Sequence, residues 1–299
     1  MRQQLHGVNQ SPRHYAFQHP GLDRAEHLRE DRAVLSRHWP DAWVMLVDIQ
    51  GQAIFSGGGD TPVFPRGGEL FSEIPEDASF LGIDGEQVWF ALPAERLGSL
   101  PGPALDLRSA AAQWPAAHAS IFAQARALLH WQQRNKFCGG CGQALRVARG
   151  GFTASCTQCG LEHYPRTDPA IIVAVSDGER LLLGRQASWP ERQWSVLAGF
   201  LEPGESLEQT VVREVMEEAG VLVHDCRYAG SQPWPFPSAL MLGFHALARA
   251  QPVRVGAELQ DARWFSATQL REQIAAGEMR ISPRLSISRW LIDDWLAAH

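Results

Sequence analysis

Glu214, Glu217 and Glu218 lie within about one helical turn of chain, immediately after Arg213 and behind the glycines Gly199 and Gly204. Three carboxylates so close together repel one another unless something cationic sits among them. Hard oxygen ligands of this type select Mg²⁺ or Mn²⁺ in company with phosphate oxygens. The chemistry they suit is hydrolysis of a phosphate linkage, in which metal polarises phosphoryl oxygens and lowers the pKa of water. No covalent nucleophile is required.

The neighbouring residues indicate how these side chains are held. Ser206 followed by Gln209 is a capping-box pattern, so a helix is predicted to start at Ser206 or Leu207, and Gly220 supplies a left-handed end. At about 100° per residue, Leu207, Val211, Val212, Val215 and Ala219 define the apolar face, and Glu214 and Glu218 each project about 20° from Leu207. Both carboxylates therefore border the buried face. A solvated acidic face would cost only a few tenths of a kcal/mol in repulsion. Near a desolvated edge the cost rises steeply unless a cation compensates, which favours metal binding.

Four of the five cysteines form two pairs, Cys138/Cys141 and Cys156/Cys159, with fourteen residues between them. This is zinc-ribbon spacing. Four thiolates close a tetrahedron around Zn²⁺ with no open position, so the ion is structural, contributing on the order of 10 kcal/mol to folding of a small module. A pair of disulfides is the alternative. Cys226 reads as a small buried hydrophobe. Residues 231–241, SQPWPFPSALM, read as a proline-stiffened loop that presents Trp234 and Phe236 to a planar ligand, or else plugs an apolar gap.

At 299 residues the chain exceeds what one core usually holds. Residues 1–130 read as an N-terminal α+β domain, 131–166 as the zinc ribbon and 167–299 as the domain that carries the acidic helix. In the first, 42–48 and 53–55 form a hairpin pattern around Gly51, 87–92 a strand, and 57–68 and 98–103 loops. A helix over 116–131 buries Ile121, Phe122, Ala125, Leu128 and Leu129. In the last, strands are expected at 170–175 and 180–184, joined at Asp177-Gly178, and at 221–229, 239–250 and 262–265. Helices follow from 267 and over 285–297. The hairpin patterns near 42–55 and 170–185 hint at a duplicated module. The fold class is α/β or α+β with a mixed sheet.

The apolar fraction is 45%, the charged fraction 20% and the net charge −6. That balance is ordinary for a soluble globular protein and lacks the basic surface that general nucleic-acid binding needs. It is compatible with a nucleotide or an RNA end bound locally. Residues 1–10 show no apolar signal region and no apolar run is long enough to span a bilayer, so a cytoplasmic protein without membrane association is expected.

Gly199, Glu205 and the run REVMEEAGV over 213–221 match the Nudix box at every defined position, so the chain resembles the Nudix hydrolases. The resemblance implies an α/β/α sandwich whose box forms a loop–helix–loop and cleaves nucleoside diphosphates linked to another group. It implies that Glu214 and Glu218 ligate Mg²⁺ or Mn²⁺, with Glu217 as a further ligand or general base. Arg213 then orients the carboxylates, Glu205 supports the loop and the Ala198 carbonyl completes the metal site.

Within 231–241, Gln232, Trp234, Pro235, Phe236 and Met241 match the signature of NADH pyrophosphatases, and Pro233, Pro237 and Ser238 lie in the same run. Ala239 stands where that family usually carries serine. A zinc ribbon ahead of the Nudix domain is the same family's arrangement. The resemblance further implies that Tyr164, which precedes Pro165, and Phe200 place rings against nicotinamide, that Glu258 is another metal ligand, and that Ser288 contacts substrate. The implied activity is hydrolysis of NADH or NAD⁺ to NMN(H) and AMP and removal of NAD caps from RNA 5′ ends. The implied assembly is a homodimer whose aromatic residues from both subunits close the site.

Two other readings stay open. One keeps the fold and changes the substrate to another nucleotide-linked diphosphate, such as ADP-ribose or a diadenosine polyphosphate. The other is a non-enzymatic zinc-ribbon module that binds RNA or protein through Arg134, Lys136, Arg146 and Arg149.

Overall fold

The computed structural model describes residues 15–19, 21–58, 60–98 and 102–299. Residues 1–10 and the middle of the 98–103 loop lie outside the described residues. The chain divides into two compact units.

One unit comprises residues 16–168 and 233–240. Its main sheet has the strand order Leu22–Asp23, Ser79–Asp84, Gln87–Pro93, Trp43–Val47, Ala53–Ile54, Ala104–Leu105. Trp43–Val47 pairs antiparallel with Ala53–Ile54, forming the expected hairpin, and parallel with Gln87–Pro93. Alternation along these central strands sends Met45, Val47, Trp89 and Ala91 into one buried cluster and Val44, Leu46, Phe90 and Leu92 into another. The helix Ala116–Arg134 covers the first cluster with Ile121, Phe122, Ala125, Leu128 and Leu129, and runs past the expected end at Trp131. The four-residue helix Gly67–Leu70 overlaps the expected 57–68 loop, and two longer ones, Arg32–His38 and Leu107–Gln113, are additional to the sequence expectation. Asp31 and Asp106 cap these two by accepting backbone N–H groups. The cysteine segment folds as a small sheet of Leu145–Ala148, Thr153–Cys156 and Glu162–His163.

The other unit comprises Tyr15, residues 169–232 and residues 241–299. Its sheet has the order Val223–Trp234, Ala239–Ala248, Asp168–Ser176, Arg180–Arg185, Asp261–Ser266, and Leu197–Phe200 also pairs with Asp168–Ser176. The two faces of this sheet bury different helices. Ile171, Val173 and Val175 pack with Val211, Val215 and Ala219 of the helix Leu207–Ala219. Ile172 and Ala174 pack with Ile287, Leu291, Ile292 and Trp295 of the helix Ile287–Ala298. The result is an α/β/α sandwich, as expected.

Several boundaries move. The strand expected over 221–229 extends to Trp234, so the first half of the supposed 231–241 loop is strand and only the residues before Ala239 turn. The last helix begins at Ile287, capped by Ser286, rather than at 285. The short strand Leu197–Phe200 is additional to the sequence expectation, because its glycine and short length give little β signal. Cys226 is half-buried at the sheet edge rather than a core residue.

Candidate active site

The acidic helix has the ends its sequence specifies. Ser206 Oγ accepts from the Gln209 N–H at 3.3 Å, and Gln209 Oε1 accepts from the Ser206 N–H at 2.7 Å. Gly220 closes it in the left-handed conformation, with φ of 65°. The buried arc is Thr210, Val211, Glu214, Val215, Glu218 and Ala219, whereas Val212 is exposed. The apolar face is thus rotated from the expected one, and Glu214 and Glu218 lie inside it rather than at its border. Gly199, on the adjoining strand, makes that possible: a Cβ there would fall 1.9 Å from the carboxyl carbon of Glu214.

Arg213 organises the surrounding charge. Its Nε and Nη2 donate to the two oxygens of Glu205 at 2.6 and 2.9 Å. Nη1 donates to Glu214 Oε1 at 2.9 Å and Glu217 Oε2 at 3.0 Å, and Nη2 also reaches the Phe200 carbonyl at 2.9 Å. Only a planar fork of donors can serve that set. Arg213, together with the Glu202 N–H and the Thr210 hydroxyl, holds Glu205 down to about 2. Thr210, fully buried at 3.0 Å from Glu205 Oε2, is a member of this network that the sequence reading missed; its place on the apolar arc was the available signal.

Glu218 has the opposite environment. Burial, with the nearby charges of Glu214 and Glu258, pushes its pKa up to about 8, against a single backbone hydrogen bond from Ala198. Its Oε2 is buried without a hydrogen-bond partner among the described residues. Burial also raises Glu214, against the pull of Arg213. Glu258 is exposed, on a loop that caps the helix: the Arg254 and Gly256 N–H groups donate to the Ala219 and Glu218 carbonyls at 2.8 and 2.9 Å. A desolvated carboxylate with an unused oxygen, facing other carboxylates, fits a hard divalent cation.

The other expected site residues divide between the units. Ala198, Phe200, Gln232, Met241 and Ser288 belong with the acidic helix, and Tyr164 and residues 233–239 with the other unit. Phe200 and Tyr164 are exposed rings. Gln232 is fully buried, donating to the Leu285 carbonyl and accepting from the Ile287 N–H, both at 2.8 Å. The buried Ser288 hydroxyl is shared with Ser195 at 2.7 Å and Ser282 at 3.1 Å. Trp234 and Phe236 pack onto the core that contains Phe17, and the Ser238 hydroxyl donates to Asp168 at 2.7 Å. Met241 is half-buried against the core of the acidic-helix unit.

All four ribbon cysteines are free thiols. Cys138 and Cys159 Sγ lie 3.6 Å apart, Cys141 and Cys156 Sγ 3.4 Å, and all four fall within 4.8 Å of one another. A tetrahedron with Zn–S bonds of about 2.3 Å has edges of about 3.8 Å, so the set fits structural Zn²⁺. Among the described residues no other His, Cys, Asp or Glu group is so tightly gathered; the box glutamates are more open, three of them drawn to Arg213.

The sandwich, the capped box helix and its buried carboxylates define a Nudix hydrolase, and the NUDIX domain model matches residues 165–285. The model described as the NADH pyrophosphatase zinc ribbon domain matches 133–164, and the NADH pyrophosphatase-like rudimentary NUDIX domain matches 23–131. The two hairpins at 42–55 and 170–185 fall one in each NUDIX-type match. The chain is 37% identical over 295 residues to an NAD-capped RNA hydrolase NudC of Mycobacterium tuberculosis, covering 93% of this chain and 94% of that one. It is 36% identical to human NAD-capped RNA hydrolase NUDT12, covering 75% of this chain and 52% of that one. A NUDIX hydrolase structure from Nitrosomonas europaea is 28% identical over 45% of this chain and 79% of its own, with a TM-score of 0.40. The chain belongs to the NADH pyrophosphatase family of Nudix hydrolases, the zinc-ribbon type that includes the NAD-capped RNA hydrolases.

Proposed function

We propose that this hydrolase cleaves the pyrophosphate bond of NADH and NAD⁺ to give NMN(H) and AMP, and removes NAD caps from RNA 5′ ends. Support comes from the zinc ribbon and rudimentary domain matched together with the NUDIX domain, and from relatives named for NAD-cap hydrolysis. The observation that carries the mechanism is the buried, partnerless Oε2 of Glu218 beside Glu214 and Glu258.

In this reading Glu214, Glu218 and Glu258, with the Ala198 carbonyl, hold Mg²⁺ or Mn²⁺. Bound there, the cation supplies Lewis acidity toward pyrophosphate oxygens and a lowered pKa for water. Glu217, whose side chain is 60% exposed, joins as a ligand or takes the proton from water. Arg213 and Glu205 fix the spacing of the carboxylates. Tyr164 and Phe200 supply rings for the nicotinamide, and the segment from Gln232 to Met241, with Ala239 in place of serine, and Ser288 form the substrate wall. Three parts, 1–130, 131–166 and 167–299, make up the chain, which works as a homodimer in the cytoplasm. No helix among the described residues is long and apolar enough to cross a membrane.

The test is NADH turnover with Mg²⁺, comparing wild type with Glu218→Gln. The expected result is NMNH and AMP from wild type and a loss of about a hundredfold or more in the variant. Unchanged turnover would remove the metal-site assignment, and other products would remove the bond assignment.

A further inference from the structure

We infer that the aromatic half of the 231–241 signature is held as a fixed turn, and that Arg126 is the positioning residue there. Before the turn, the Gln232 amide donates to the Leu285 carbonyl and accepts from the Ile287 N–H. Beyond it in sequence, Trp234 and Phe236 sit 4.9 Å apart by ring centroids, each 6.3 Å from Phe17. These aromatic residues pack against the protein itself, and that packing holds the turn.

Arg126 lies on the long helix of the rudimentary domain. It donates through Nη1 to the Pro235 carbonyl and through Nε to the Gly51 carbonyl at 3.2 Å. Its guanidinium lies 5.1 Å from the Phe236 ring centre, and that of Arg108 lies 4.1 Å from the same centre. Gly51, at φ +76°, leaves the space: a Cβ there would meet Arg126 Nε at 2.8 Å. Neither arginine forms a salt bridge among the described residues.

Two like charges against one ring, with Asp106 the nearby acid but no salt bridge to it, are a poor choice if stability alone is at stake. An unbranched apolar side chain fills such a space with less desolvation cost. What only the guanidinium provides is simultaneous fixation of two backbone carbonyls, one from the rudimentary domain and one from the signature turn. The rudimentary domain, which lacks an acidic box, thereby fixes the hairpin turn that leads into Ala239. This step rests on the proposed function insofar as that hairpin contacts the dinucleotide.

The experiment uses the full zinc-loaded chain and compares Arg126→Met, Arg126→Lys and Arg108→Met. It measures kinetics with Mg²⁺ and NADH, NADH affinity without Mg²⁺ by the ligand's own fluorescence, and thermal midpoint. Arg126→Met is expected to raise KM and weaken affinity about tenfold, to leave kcat within about twofold, and to leave the midpoint unlowered. Arg126→Lys is expected to recover part of the affinity. Wild-type KM and affinity in Arg126→Met overturn the inference, as does a loss that only parallels a lowered midpoint. Should Arg126→Met not fold, weaker affinity in folded Arg126→Lys or Arg108→Met upholds the inference, and wild-type affinity in both overturns it. Failure of the metal-site reading shows separately, as full activity in Glu218→Gln.

Discussion

Gly199 and Glu214 are in such close contact that any side chain at Gly199 would have to displace the carboxylate: a Cβ there would lie 2.0 Å from Glu214 Oε1. The strand Leu197–Phe200 and the box helix are thus docked through a missing side chain. Gly199→Ala is expected to displace Glu214 and lower NADH turnover by about two orders of magnitude, because small misplacements of reacting groups are costly. Circular dichroism and zinc content should stay at wild-type values; retained turnover would show that the Glu214 position is not critical.

Arg213→Lys keeps a positive charge and loses the fork. A single ammonium cannot serve Glu205, Glu214, Glu217 and the Phe200 carbonyl together. The expected loss in kcat is about a hundredfold, with a larger Mg²⁺ concentration needed for half-maximal rate. Titration of rate against Mg²⁺ checks both.

The raised pKa of Glu218 has a direction in stability. Between the ordinary 4.5 and about 8, the folded protein keeps a proton on Glu218 that the unfolded chain has released. The stabilisation this confers is complete below about pH 4.5 and is lost as pH rises through about 8. Its steepest slope is at most about 1.4 kcal/mol per pH unit. Without divalent cations, the thermal midpoint is expected to fall from pH 6 to pH 8.5 more in wild type than in Glu218→Gln. Added Mn²⁺, which favours the charged form, should narrow the difference. Equal falls in the two proteins would contradict the assigned environment.

In the ribbon, Cys141→Ser breaks the four-sulfur set. One zinc per chain is expected by elemental analysis in wild type and much less in the variant. The thermal midpoint of the cysteine-bearing unit should drop, since metal affinity in such modules is folding free energy. Full zinc occupancy in Cys141→Ser would count against a four-thiolate site.

What could be read from the chain follows the range of the interactions involved. The capping box at Ser206, the left-handed end at Gly220 and the two C-x-x-C pairs are specified within a few residues, and the fold realises them. The rotation of the apolar arc toward Thr210 and away from Val212 depends on Gly199, in another strand, and so was legible only in part. The contact between Arg126 and Pro235 spans 109 residues and has no local signal in either segment. Trp234 and Phe236 illustrate the ambiguity: an aromatic flanked by prolines suits a ligand wall and a core plug equally, and only packing against Phe17 distinguishes them.

The Arg254–Gly256 amides that close the last turn of the box helix also fix the path of the chain toward Glu258. A Cβ at Gly256 would strike the Glu217 carbonyl at 2.1 Å, so this crossing has no slack. Inserting or deleting a residue between 256 and 258 would carry the fourth carboxylate about 3.5 Å along the backbone, away from its companions. The stretch from Gly256 to Glu258 is therefore a fixed spacer between the end of the box helix and its outlying acid.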